Sequence, residues 1–168
     1  TVDPELYLEM IRLKTSILFG SAAYGGALIG DKTVEEANEL RQMAIWVGLG
    51  FQIWDDYLDA TAPAEVLGKP SGSDVRQGKR TLLVIEALNR TKPDERKELI
   101  RILDDSKNTA DDVHRAVEIM SECGALENCR KQALDYLHGA KKTIEKYPKG
   151  EARELLKELL EYMVTRGH

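Results

Sequence analysis

A chain of 168 residues can bury one real core, and its 42% hydrophobic and 32% charged residues are ordinary globular composition. A net charge of −5 excludes general nucleic-acid binding, which needs a basic face. Gln52 and Asp55 interrupt the longest apolar run, so no stretch reaches membrane-spanning length.

Helix signals dominate and no segment sustains strand alternation, so the chain reads as all-α, a single unit over 1–168. Asp3 and Pro4 predict an N-cap and a first-turn proline. The first helix is expected to run through Phe19 and to bend or pause near Gly25 and Gly26. Tyr7, Ile11, Lys14 and Leu18 fall on one stripe of it, where Lys14 must snorkel or find an anion. Gly30 and Asp31 mark a turn. Thr33 with Glu36 fits a capping box, opening a long helix to about Leu58. Residues 60–78 hold Pro63, Gly68, Pro70, Gly72 and Gly78 and form the one extended loop. Helices then follow at Arg80–Asn89, Asp94–Leu103, Ala110–Cys123, Ala125–Lys146 and Glu151–Val164, with Thr109 an N-cap and Gly124 and Pro148 breaks. Cys123 and Cys129 suit neither a zinc motif nor a disulfide framework and are expected as reduced helix residues of a cytoplasmic protein. His114, His138 and His168 form no cluster.

The chemistry concentrates in two stretches. "MAIWVGLGFQIW", residues 43–54, is apolar nearly all round, as suits a helix at the centre of a bundle. At about 3.6 residues per turn, Gln52, Asp55, Asp56 and Asp59 share one face, and Gly48 one turn earlier leaves that face open. Carboxylates crowded at the negative end of a helix dipole are costly, so something cationic should offset them. A solvated helix end is the ordinary reading of an acidic cluster. This one grows out of a buried helix, which points instead to a hard cation such as Mg²⁺, whose other ligands are water and substrate phosphate. The D-x-[DN]-x-[DN]-G pattern of an EF-hand is absent.

The loop "GKPSGSDVRQGKRTL", residues 68–82, sets Lys69, Arg76, Lys79 and Arg80 against one acid, Asp74. Its glycines allow close approach of backbone to a ligand, though without Walker or Rossmann spacing. A basic loop beside an acidic helix end suits a ligand with phosphate on one side and metal on the other.

Together "LKTSILF", "FQIWDDYLD", "GKPSGSD" and "GKRTL" resemble the C-terminal half of the trans-isoprenyl diphosphate synthases of the farnesyl and geranylgeranyl type, in the family's order and at family-like separations. "LLEYMVTRGH" is similar to that family's last helix and basic tail. The resemblance implies the C-terminal part of the isoprenoid synthase helical bundle. It also implies a short-chain prenyl transfer from an allylic diphosphate to isopentenyl diphosphate, through an allylic carbocation. Carried over by motif, Asp55 is the direct Mg²⁺ ligand, and Asp56 and Asp59 ligate or orient metal waters. Lys14, Lys69 and Lys79 hold diphosphate oxygens, while Thr15 and Gln52 line the carbocation site. The family's first aspartate-rich motif has no match here, so the chain is expected as half of an enzyme and inactive alone. A homodimer of the complete protein is implied, or pairing with a missing N-terminal half. Two other readings stand beside this one: a non-catalytic partner subunit of a heteromeric synthase, and a terpene cyclase of the same fold. The retained aspartates, Lys69 and Lys79 favour a catalyst.

Overall fold

In the computed structural model, which describes residues 3–68 and 70–165, helices follow one another with no strand among the described residues. Asp3 starts the first, its carboxylate accepting the Glu5 N–H at 2.9 Å. Helix α1 (Pro4–Ile11) passes into a π-helical turn (Arg12–Ser16) and on into α2 (Ile17–Ile29) without a break at Gly25 or Gly26. The turn changes which face is buried. Tyr7, Ile11, Ser16 and Gly20 are buried, in steps of four, five and four residues, and the five-residue step spans the π turn. The stripe expected from regular α periodicity therefore divides: Tyr7 and Ile11 lie inside, whereas Lys14 and Leu18 are exposed.

Thr33 and Glu36 cap α3 (Val34–Thr61) reciprocally, with Glu36 N–H to Thr33 Oγ1 at 3.2 Å and Thr33 N–H to Glu36 Oε2 at 2.9 Å. The helix runs three residues past Leu58. The segment 60–78 is more ordered than a plain loop, holding the single turns α4 (Ala64–Leu67) and α5 (Ser73–Arg76). Then come α6 (Leu82–Arg90), α7 (Pro93–Asp104), α8 (Ala110–Glu122), α9 (Ala125–Ile144) and α10 (Glu151–Thr165). Thr109 caps α8, accepting the Asp112 N–H at 3.1 Å, and Gly124 at φ 76° ends it.

By their internal contacts the residues group into two compact units. Among the described residues, the first contains those up to Tyr7 and Ile53–Lys131; the second contains Leu8–Gln52 and residues 132–165. A 28-residue helix at about 1.5 Å per residue exceeds the width of a small core, so different stretches of α3 serve different cores. In the first unit Ile53, Leu82, Leu83, Ile85, Leu99, Ile102, Ile119, Met120 and Cys129 are almost wholly buried. In the second, Met43 and Val47 of α3 cluster with Leu137, Ala140 and Ile144 of α9 and Leu160 and Met163 of α10.

Candidate active site

The acidic end of α3 is held by hydrogen bonds from within its own unit. Asp56 is 6% exposed and Asp59 3%. Charge so deeply buried requires donors. The Tyr7 hydroxyl donates to Asp56 Oδ2 across 49 residues of sequence. Burial first, and then the Asp56 charge, push the Tyr7 phenol well above its ordinary range, so it stays a protonated donor. Ser73 Oγ donates to Asp59 Oδ1 at 2.5 Å, and the Asp74 N–H donates to Asp59 Oδ2 at 2.9 Å. Asp55, the half-buried neighbour, completes the acidic set.

The loop after α3 folds back onto that helix end. Ser71 Oγ donates to Ala62 O at 2.7 Å, and the Gly72 N–H to Asp59 O at 2.6 Å, satisfying carbonyls that a helix C-terminus leaves unmade. Lys79 Nζ pairs with Asp74 Oδ1 at 2.6 Å, so the lysine joins Asp59 through Asp74. Arg76 and Arg80 serve the loop itself, donating to Asn108 O at 3.2 Å and Gly78 O at 2.7 Å; Arg80 also meets Asp104 at 2.5 Å. Lys69, expected to hold phosphate, lies outside the described residues. Two of the loop glycines, Gly72 and Gly78, closely approach other parts of the protein. A Cβ on Gly78 would sit 2.4 Å from Leu103 O and one on Gly72 2.4 Å from Val113 Cγ1.

In the second unit, Thr15 Oγ1 donates to Gln52 Oε1 at 3.2 Å, bringing together two residues the sequence singled out. Lys14, next to Thr15 on the π turn, is exposed. Gly48 does not leave the face open: Ser16 fills the space, and a Cβ on Gly48 would lie 2.6 Å from Ser16 Cα. Tyr7, Ser73 and the Asp74 backbone are contributions that sequence reasoning missed. Tyr7 did carry a signal, a hydroxyl on an apolar stripe.

Carboxylate oxygens are the donors a hard divalent cation takes, so the chemistry of this set fits Mg²⁺. Among the described residues no group of three or more His, Cys, Asp or Glu forms a metal cage. A cation here would complete its shell from water and phosphate, as Mg²⁺ commonly does.

An all-α chain with a braced acidic helix end beside a lysine-bearing loop is a class of protein that known sequences and structures recognise. The Polyprenyl synthetase family profile matches residues 1–120, and the chain belongs to that family. The short chain isoprenyl diphosphate synthase of Methanothermobacter thermautotrophicus is 40% identical over 167 residues, covering 99% of this chain and 51% of that protein. The geranylgeranyl diphosphate synthase of Methanosarcina mazei is 38% identical over 162 residues, covering 96% and 48%. Among solved structures, the Caulobacter crescentus polyprenyl synthase complexed with calcium and isoprenyl diphosphate superposes with a TM-score of 0.90 at 35% identity, over 100% of this chain and 51% of that one. The geranylgeranyl pyrophosphate synthetase of Pyrococcus horikoshii also gives 0.90 at 35% identity, over 98% and 50%. The chain thus spans about half the length of the relatives it matches. No described helix is long and apolar enough to cross a membrane.

Proposed function

We propose that this protein in its complete form is a trans-prenyltransferase. It joins isopentenyl diphosphate to an allylic diphosphate and makes short-chain isoprenyl diphosphates such as farnesyl or geranylgeranyl diphosphate. The observation that carries this reading is the braced aspartate end of α3, tied through Asp74 to Lys79, in a chain whose relatives bear isoprenyl diphosphate synthase names. Asp55 would hold Mg²⁺ directly, and Asp56 and Asp59 would ligate it or orient its waters. Bound there, the cation supplies Lewis-acid neutralisation of the leaving diphosphate. Lys14, Lys69 and Lys79 add positive charge to the same oxygens. The allylic C–O bond breaks with its electron pair leaving on the diphosphate. Thr15 and Gln52 present oxygen dipoles to the carbocation, whose charge the isopentenyl double bond then attacks before a proton is lost. Apolar residues of α3 keep water from that cation. On the same resemblance we assign the complete protein to a cytoplasmic homodimer; the two free cysteines suit a reducing compartment.

The test is Asp55→Ala in the complete protein, assayed with isopentenyl and allylic diphosphates. Turnover should fall on the order of a hundredfold or more, the cost of losing a preorganised electrostatic contact at the reacting centre. Near-normal turnover would remove Asp55 from the chemistry.

A further inference from the structure

We propose that the Tyr7–Asp56 pair is an anchor that orients Asp55, making Tyr7 a positioning residue of the aspartate site; the inference rests on the prenyl-transfer reading above. Tyr7 is 7% exposed and Asp56 6%, and their hydrogen bond links α1 to the end of α3. A tyrosine has few rotatable bonds, so a buried one holds its hydroxyl in a narrow range of positions.

The geometry of α3 turns this bond into an orienting device. Successive residues on an α-helix point about 100° apart, so fixing one carboxylate fixes the azimuth of its neighbours. Asp56 is fixed from α1. Asp59, three residues on, is fixed by Ser73 Oγ at 2.5 Å and the Asp74 N–H at 2.9 Å. Two anchors from different segments leave this stretch of helix little freedom to rotate. Asp55 precedes one anchor by one residue and the other by four, so its direction follows from both.

The test uses the complete protein and Mn²⁺ as a paramagnetic probe, its binding followed by electron paramagnetic resonance in the presence of inorganic diphosphate. Tyr7→Phe keeps the ring and removes the donor. Mn²⁺ affinity should fall about tenfold, the effect typical of losing a group that orients a metal ligand. In turnover the metal concentration giving half-maximal rate should rise by a similar factor, with a smaller change in kcat at saturating metal. Tyr7→Phe with native Mn²⁺ affinity and a lowered unfolding temperature overturns the proposal, since the bond then serves stability alone. If Tyr7→Phe is not folded in plain buffer, it is measured in a stabilising osmolyte such as sucrose, with the native protein under the same conditions. A lowered Mn²⁺ affinity there supports the anchor, and native affinity overturns it. Asp55→Ala itself separates the two layers. If Asp55→Ala leaves Mn²⁺ binding intact, the functional reading fails. If it abolishes binding while Tyr7→Phe leaves it native, only the anchor fails.

Discussion

Gly48→Ala tests how the π turn and α3 come together. A Cβ at position 48 would meet Ser16 Cα at 2.6 Å, Ser16 Cβ at 2.8 Å and Ser16 Oγ at 2.9 Å. The nearest obstacle is main chain, so no side-chain rotation relieves it. To reach the 3.4 Å of ordinary contact from 2.6 Å, the two segments must separate by roughly 0.8 Å. Overpacking of this kind costs about 1–3 kcal/mol, and a backbone obstacle places this site at the upper end. Alanine returns about 1 kcal/mol of helix propensity. The expected net loss is therefore about 2 kcal/mol, read as a lower unfolding free energy in a urea titration of the complete protein followed by circular dichroism. Gly25→Ala is the internal control, because a Cβ there meets nothing within 4 Å and the change should be neutral or mildly stabilising. The same separation would stretch the 3.2 Å bond between Thr15 and Gln52, so the proposed prenyl transfer should fall as well. Gly48→Ala as stable as Gly25→Ala would refute the close approach and, with it, the explanation for why a glycine stands there.

Two further predictions concern titration. Asp112 is held at about 2, below its usual 3.8, first by the Thr109 backbone and hydroxyl and then by Arg101. A depressed native value means stability that is present above about pH 4 and is lost as pH falls toward 2. The difference in unfolding temperature between the native protein and Asp112→Asn should be present at neutral pH and close over that window. A gap of constant size down to pH 2 would contradict the capping assignment. Burial first, and then Glu86, push the Cys129 thiol up to about 12. Iodoacetamide at mildly alkaline pH should therefore label Cys123 before Cys129, which reacts upon unfolding; equal labelling rates by mass spectrometry would sink this.

The parts of this fold legible in the sequence are those fixed within a few residues. Thr33 with Glu36 and Thr109 with Asp112 each close a cap inside a four-residue window, so the local residue types suffice. The acidic face of α3 was legible for the same reason, since helical spacing places Gln52, Asp55, Asp56 and Asp59 without knowledge of any neighbour. What answers that charge was not. The donors to Asp56 and Asp59 described above are a phenol, a hydroxyl and a backbone amide, and Lys79 pairs with the Asp74 carboxylate. Those donors come from 49, 14 and 15 residues away, and periodicity does not say which polar group will arrive from another segment.

The π turn shows a second limit. Its trace is a five-residue step between buried positions, Ile11 to Ser16, flanked by four-residue steps from Tyr7 and on to Gly20. Hydrophobic periodicity could not register that step, because Ser16 and Gly20 carry almost no apolar side chain. They are small for a packing reason. Gly48 admits Ser16, and a Cβ on Gly20 would come within 2.8 Å of Ile45 Cγ1. Where two helices approach so closely, the side chains that would reveal the buried face are the ones the contact excludes. Leu18, the large apolar residue of the expected stripe beyond the turn, is meanwhile 68% exposed. A stripe read from large residues therefore lands on the wrong face where packing is tightest, and it did so beside Lys14 and Thr15, two of the residues on which the proposed chemistry depends.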